Sequence, residues 1–511
     1  MVDDKPFLVL GGELHNSSTS SLAYMEPIWP RLEKMNLNTA LVPVTWEQIE
    51  PREGQFNFAV VDGLLSAARA HHLRLAVLWF GSWKNGNSRY VPVWVKENQD
   101  RFPRVINKDG KTLEILSTLS EANREADANA FAMLMRHIKL IDSACHTVIM
   151  IQMQNEVGVL GDSRDRSAAA NDAFAGPVPR ELLGYMDRNR DRLIPEFSDV
   201  WKKAGERNSG TWQEIFGNQP SADEIFMAWN YGLYMNRVSE AGKAEYPLPT
   251  FVNTWIVQPE DKGPGDYPAG GPQAQNHDIW RAAAPAIDFL CPDIYLPNFA
   301  EIVAKYTRSG NPLFVPESFS GVRGAANLFY AVGQHDAIGY SPFGIDEQMN
   351  PGPMTKAYGL LGEMAPLILA HQGMGSIAAV SLTSRQGMRD IILGNYAIHA
   401  ELRKTRHSTV VPDLGYAMFI NTAPGEYVIA GSDVDITFST DPASPQIVGL
   451  ATVEDGTFKN GEFVPGRLLN GDEVQLRYEL SDAAAQGQSG AGIRLRADGP
   501  FVQRVKLYRY R

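Results

Sequence analysis

Two glutamates that each follow a short apolar run are the residues of this sequence best suited to do chemistry. Glu156 comes after Val148–Gln154, and Glu317 comes after Leu313–Val315. A pair of carboxyl groups can cleave a glycosidic bond when one protonates the leaving oxygen and the other, ionised, attacks the anomeric carbon. The two groups then need different surroundings, so that their pKa values differ. A separation of about 5–5.5 Å would give retention of configuration, and about 6.5–9.5 Å would give inversion.

Eight apolar runs, which alternate with amphipathic stretches, must position this pair. Their density in Val, Ile, Leu and Phe is typical of parallel strands that are covered on both faces. Eight strand–helix repeats predict a closed (β/α)8 barrel, with Glu156 and Glu317 at the mouth ends of the fourth and seventh strands. An open doubly wound sheet is the alternative fold, and a carboxylate that only stabilises a helix start is the alternative role for Glu156. The runs are 7–12, 39–45, 73–80, 148–154, 249–255, 287–294, 312–316 and 337–342.

The sequence pattern changes near residue 375, and this change predicts two domains. We assign residues 1–375 to the barrel, with an insertion at about 158–247 that either shapes the substrate site or is peripheral. Residues 376–511 contain short alternating runs, which predict an all-β sandwich. The turn signals in this part are Pro424-Gly425, Asn460-Gly461 and Asn470-Gly471.

Aromatic and polar residues at the other strand ends are candidates for binding a substrate. Flat aromatic rings pack on the apolar faces of sugars, and amide or carboxylate groups bind their hydroxyls, although each residue could instead belong to the core. Glu47 competes with Glu156 as an acid, whereas Glu50 belongs to a turn-like segment and is expected to be structural. The candidates are Trp46, Trp83, Trp255, Tyr295, Asn155, Glu13 and His15.

The composition excludes several partners. Lys and Arg number 47 against 59 Asp and Glu, and the net charge of −12 disfavours nucleic acid and anionic membranes. Cys145 and Cys291 are the two cysteines, so we expect no disulfide, no metal site and no cofactor. We recognise no export signal and no apolar run of about 18 residues, so no membrane span is expected. The chain is cytoplasmic, or periplasmic or secreted if a signal has been removed.

Three segments carry a resemblance to known glycosidases. Val44–Pro51 (VTWEQIEP) with Gly54–Phe58 (GQFNF) resembles glycoside hydrolase families 35 and 42. Ile151–Gly158 (IQMQNEVG) looks like the acid/base segment of family 35, and Val315–Glu317 is similar to its nucleophile strand.

The resemblance implies a clan A enzyme that retains configuration, with Glu156 as acid/base and Glu317 as nucleophile. It further implies that Asn155 binds the sugar 2-hydroxyl and that Tyr295 orients the nucleophile. The activity implied is removal of terminal β-linked galactose from oligo- or polysaccharides. The C-terminal part resembles the β domain of a bacterial branch of family 35, some of whose members act on xyloglucan side chains.

Two segments depart from the pattern of family 35. Gly11–Asn16 reads GGELHN where typical members have Gly-x-x-His-Tyr, and Gly81–Trp83 reads GSW where they have Ala-Glu-Trp. Ser82 therefore stands where the family has a glutamate that binds galactose. A clan A β-glycosidase for another terminal sugar, or a non-catalytic carbohydrate-binding barrel, is the alternative function.

Overall fold

The computed structural model describes residues 1–218, 220–348, 352–403, 412–440, 446–474 and 491–510. Within these residues, no helix is both long enough and apolar enough to cross a membrane.

Eight parallel strands form a barrel in which each strand pairs with its neighbours in sequence. The sixth and seventh strands close it, because Ile294 N donates a hydrogen bond to Glu317 O at 2.9 Å and Ile294 bridges Ser318. The predicted barrel is confirmed, and every strand overlaps its predicted run. The strands, from first to eighth, are Val9–Glu13, Thr39–Thr45, Arg74–Lys84, Val148–Asn155, Thr250–Trp255, Phe289–Asp293, Phe314–Ser318 and Gly339–Pro342.

The strands are apolar on both faces because each face is covered. Side chains such as Leu41, Leu78 and Phe251 fill a core inside the barrel, while their sequence neighbours pack outward against helices. The α-helices are Leu22–Met25, Trp29–Lys34, Trp46–Ile49, Ala59–Ala70, Val93–Lys96, Glu121–Asp142, Ala168–Ala175, Arg180–Arg188, Pro195–Lys203, Trp212–Phe216, Ser221–Glu245, His277–Ala283, Phe299–Tyr306, Gly321–His335 and Gly352–His371.

The segment predicted as an insertion follows the fourth strand. Its last helix, Ser221–Glu245, packs along Glu121–Asp142 and so belongs to the helical layer of the barrel. The start of the segment is fixed to that helix by buried ion pairs, since Arg164 and Arg166 both contact Asp223 at 3.2 and 2.8 Å. The start of the insertion is therefore tied to the helical layer of the barrel.

The predicted sandwich is confirmed: in the described part of residues 377–510, two antiparallel sheets, of six and four strands, enclose a shared core. Asn460-Gly461 forms the expected two-residue hairpin turn, with positive φ at both residues. Asn470-Gly471 instead begins a 3₁₀ helix, because the Asn470 side chain accepts a hydrogen bond from Gly471 N. The strands are Ile377–Thr383, Met388–Leu393, Tyr396–Leu402, Leu414–Ala423, Glu426–Ser432, Val434–Ser439, Ile447–Lys459, Glu462–Leu469, Ala491–Leu495 and Phe501–Tyr510. A short hairpin, Arg104–Ile106 with Thr112–Leu116, lies apart from both sheets.

The six-stranded sheet packs on the barrel helix Gly321–His335, and a glycine allows the close approach. A Cβ atom on Gly333 would lie 2.8 Å from Ala379 Cβ and 3.0 Å from Met418 Cγ. The two side chains belong to the same apolar core as the barrel helices. The sheet is therefore part of the barrel's packing.

We expect Gly333→Leu to lower the free energy of unfolding by about 1–3 kcal/mol, because the new side chain has no space in this contact. Thermal denaturation measures the effect. Gly184→Leu, in the helix Arg180–Arg188, is the control, since only the flexible tip of Arg188 lies near its Cβ position. An equal melting temperature for both variants would contradict this account of the contact.

Candidate active site

Polar side chains from six barrel strands, and from the loops after the fourth and sixth strands, converge at the barrel mouth. All but Tyr295 are buried, with Glu156 8% and Glu317 6% exposed. Each lies at or just after the C-terminal end of a strand, which is where barrels of this kind place reactive groups. The set comprises Glu13, Lys84, Asn155, Glu156, Asn253, Asp293, Tyr295 and Glu317.

The two predicted catalytic carboxyl groups face each other across a short distance. One oxygen of Glu156, one of Glu317 and one of Asp293 all lie within 4.8 Å of one another. Oxygens this close fit the short carboxyl separation of a retaining glycosidase better than the longer separation of an inverting one.

Three donors hold Glu317. Asn155 Nδ2 and Asn253 Nδ2 donate to its Oε1 at 3.2 and 3.4 Å, and the Tyr295 hydroxyl donates to its Oε2 at 3.1 Å. Both oxygens of the carboxylate are thus paired and oriented by side chains from neighbouring strands.

Glu156 has the opposite surroundings. Burial, followed by the nearby charge of Glu317, raises its pKa to about 7, against the opposing effects of the Lys84 ammonium and a hydrogen bond with Asp293. The pKa of Asp293 is itself raised well above its ordinary value by burial and by the charges of Glu317 and Glu156. The same surroundings thus make the ionised form of Asp293 unfavourable beside Glu156.

The backbone around Glu156 is strained. Gln154 and Glu156 have φ values of 59° and 46°, a left-handed conformation that side chains other than glycine rarely adopt. Glu156 N donates to Asn253 Oδ1 at 3.0 Å, and Gly86 N donates to Glu156 O at 3.1 Å. These bonds hold a conformation that turns Asn155 and Glu156 into the mouth, as strain at functional sites often does.

Of the other sequence candidates, Asn155, Tyr295 and Glu13 lie in this cluster. Glu13 is completely buried, and neither of its oxygens receives a hydrogen bond from the described residues. Its pKa is raised well above the ordinary value, first by burial and then by the charge of Glu317.

His15 and the three tryptophans lie outside the cluster's hydrogen bonds. His15 contacts Asp346 through Nδ1 at 3.0 Å and thereby ties the first strand to the loop after the eighth. Trp46 and Trp83 are fully enclosed, so neither offers a ring face to a sugar in this structure. Trp255, at the end of the fifth strand, is half-buried and keeps an accessible surface.

The glutamates after the second strand take structural roles. Glu50 accepts hydrogen bonds from Trp46 Nε1 and Gly54 N, both at 2.8 Å, and so closes the turn as expected. Glu47 pairs with Lys96 at 3.0 Å.

Ser82 belongs to a polar network below the site. Its hydroxyl lies 2.7 Å from both Asp127 Oδ2 and the Tyr234 hydroxyl. Asp127 also accepts from Trp79 Nε1 and Gln154 Nε2, and burial raises its pKa to about 6 against these hydrogen bonds. The network supports Gln154, next to the catalytic segment.

Sequence reasoning missed Lys84, Asn253 and Asp293. Asn253 and Asp293 lie within the last three residues of the predicted runs 249–255 and 287–294, so a search extended to those positions would have included them. Lys84 gave no such signal, because the apolar run ends at Phe80 while the strand continues to Lys84.

The cluster could also attract a cation, since three carboxyl groups bring oxygens together. Lys84 supplies a positive charge at the same place, and its ammonium lowers the pKa of Glu13 and Glu156. We therefore assign no metal to the site.

Comparisons with known proteins give the following similarities. A model of a domain of unknown function, DUF5597, matches residues 354–481. No curated protein matches the chain. Solved structures include a β-galactosidase from Rahnella sp. R3, 14% identical with a TM-score of 0.48, aligned over 72% of this chain and 57% of that one.

A β-galactosidase from Bacillus circulans sp. alkalophilus is 13% identical over 72% and 58% of the two chains, with a TM-score of 0.48. The catalytic domain of a β-amylase from Paenibacillus polymyxa is 12% identical over 69% and 95%, with a TM-score of 0.47. The chain thus spans less than two thirds of the length of these galactosidases.

We expect Ser82→Glu to destabilise the protein by about 3 kcal/mol or more, because it buries a second carboxyl group beside Asp127. Ser82→Ala should cost about 1–3 kcal/mol through the lost hydrogen bonds. Chemical denaturation measures both. A Ser82→Glu variant as stable as the parent would mean that this position is open to the barrel mouth.

Proposed function

We propose that this protein is a retaining β-glycoside hydrolase in which Glu317 is the nucleophile and Glu156 the acid/base. The observation that carries the proposal is the approach of the two carboxyl groups to within 4.8 Å in contrasting surroundings. Glu317 has three hydrogen-bond donors, whereas burial and the Glu317 charge keep a proton on Glu156.

In the first step, Glu317 attacks the anomeric carbon while Glu156 transfers its proton to the leaving oxygen. The bond to the leaving group breaks, and a glycosyl ester forms on Glu317. This ester carries no charge, so the main electrostatic cause of the raised Glu156 pKa disappears. Glu156 then accepts a proton from water, which attacks the ester and releases the sugar with its original configuration.

The enclosure of the site favours a terminal sugar as the substrate. A group that is under a tenth exposed, as Glu156 and Glu317 are, suits a pocket that receives a chain end. The resemblance of the catalytic segments to family 35 favours β-linked galactose, carried by oligo- or polysaccharides such as xyloglucan side chains. Of the aromatic candidates from the sequence, Trp255 and Tyr295 keep surface that a sugar could contact.

Alanine substitutions test the two roles. We expect Glu317→Ala to reduce hydrolysis of aryl glycosides to background, and azide to restore turnover with formation of the α-glycosyl azide, since azide fills the place of the nucleophile. Glu156→Ala should lower kcat/KM about 10²–10⁴-fold on substrates with poor leaving groups. In Glu156→Ala, with activated substrates, azide should give the β-glycosyl azide. Glu47→Ala is the matched control. Full activity in Glu317→Ala would refute the mechanism.

The raised pKa of Glu156 sets the alkaline side of the pH profile. Because Glu156 must be protonated for the first step, kcat/KM should fall as the pH rises through about 7. Glu156→Gln, assayed with an activated aryl glycoside, should lose this alkaline limb. A limb that persists unchanged in the variant would assign it to another group.

A panel of p-nitrophenyl glycosides tests the sugar. The β-galactoside should be cleaved faster than the β-glucoside or the α-arabinoside. A β-galactoside no better than these would leave a β-glycosidase of other specificity, and no turnover of any glycoside by the native protein would reject the proposal.

Hydrolysis should continue undiminished after dialysis against EDTA, because Lys84 supplies the positive charge in the cluster. Activity that is lost with EDTA and returns with one divalent cation would show that the carboxyl groups bind a metal.

A further inference from the structure

We propose that Lys84 is a positioning residue for the reaction, holding Asn155 in the orientation that presents its amide to the nucleophile. The inference rests on the proposed function, which assigns Glu317 as the nucleophile. Nothing in the resemblance to family 35 assigns a role to a lysine at this point of the third strand.

Two hydrogen bonds connect Lys84 to Glu317 through one carboxamide. Lys84 Nζ donates to Asn155 Oδ1 at 2.9 Å, and Asn155 Nδ2 donates to Glu317 Oε1 at 3.2 Å. A carboxamide can turn by 180° and exchange its oxygen and nitrogen. An ammonium group accepts no hydrogen bond, so it admits only the orientation in which Nδ2 faces Glu317.

An irregularity of the third strand brings Lys84 to this place. The strand pairs with the fourth strand up to Trp79, loses register, and pairs again where Lys84 lies opposite Asn155. Such a bulge re-aims a side chain, and bulges are frequent beside active sites. Asn85 N then donates to Asn155 O at 3.1 Å, which fixes the two segments together.

Burial of the Lys84 ammonium costs free energy. A lysine with only a structural role could stay in contact with water and avoid this cost. Its side chain is 8% exposed in the barrel mouth, and the acceptor that the described residues give to Nζ is a neutral amide. A buried ammonium is stable only where negative charge compensates it. The Glu317 carboxylate, one amide away, supplies that charge.

Lys84 also opposes the repulsion within the carboxyl cluster. Its charge lowers the pKa of Glu156 and of Glu13, whereas burial and Glu317 raise both. Loss of the ammonium should therefore leave Glu156 harder to ionise, which favours the first step at high pH and impairs the second, in which Glu156 is the base.

The test compares Lys84→Met, Lys84→Arg and the control Lys243→Met. Lys243 pairs with Asp288 at 2.6 Å, near the opposite ends of the fifth and sixth strands. We expect Lys84→Met to lower kcat about 100-fold, as loss of one preorganised donor does, and to move the alkaline limb of kcat/KM to higher pH. Lys84→Arg should restore much of kcat, and the control should change neither quantity.

A double substitution tests the route through Asn155. If Lys84 acts chiefly through this amide, Lys84→Met with Asn155→Ala should lower kcat far less than the product of the two single losses. Circular dichroism and melting temperature confirm folding of every variant.

Several results would overturn the inference. An unchanged kcat and pH profile in Lys84→Met would do so, and so would additive losses in the double variant. Activity could also be lost only to the extent that the melting temperature falls, with the alkaline limb unmoved in both Lys84 variants. Lys84 would then have a structural role and no positioning role. A native protein that cleaves no glycoside would instead refute the proposed function, and this inference with it.

Discussion

Four buried carboxyl groups lie beside one ammonium group at the mouth of this barrel, and their mutual repulsion is the constraint that shapes the site. Burial and neighbouring charge raise the pKa of Glu13 and of Asp293 well above the ordinary value, which disfavours the ionised form of each. Glu317 accepts hydrogen bonds from three donors, and Lys84 is joined to one of them, Asn155. Glu156 is left with a pKa of about 7, between the protonated and ionised states, as a group that must act as both acid and base requires.

Departures from regular backbone geometry deliver these side chains. The third strand bulges before Lys84, the fourth ends with left-handed residues on either side of Asn155, and the barrel closes through the backbone of Glu317 itself. A regular barrel would place alternate residues inside and outside at fixed positions. Strained backbone thus occurs on both sides of Asn155, where the chemistry is proposed, and the apolar strands and helices around it stabilise it.

The fold could be read from the sequence because parallel barrel strands are buried on both faces, and so leave eight uninterrupted apolar runs. Glu156 and Glu317 could be found because each ends such a run. Lys84 could not, because a bulge extends its strand beyond the apolar run. The enclosure of Trp46 and Trp83 could not be predicted either. A tryptophan at a strand end gives the same sequence pattern whether a loop or a sugar covers it. Ser82 shows the limit of the resemblance to family 35, because its hydroxyl donates a hydrogen bond to Asp127 and is not part of the carboxyl cluster.

The proposed mechanism depends on a covalent bond between Glu317 and the sugar. Incubation with a 2-deoxy-2-fluoro-β-galactoside carrying a good leaving group slows hydrolysis of the ester, and mass spectrometry of proteolytic fragments then locates the label. The account predicts one sugar per chain, attached to Glu317. A label on Asp293 or Glu13, or hydrolysis that inverts configuration without any adduct, would contradict it.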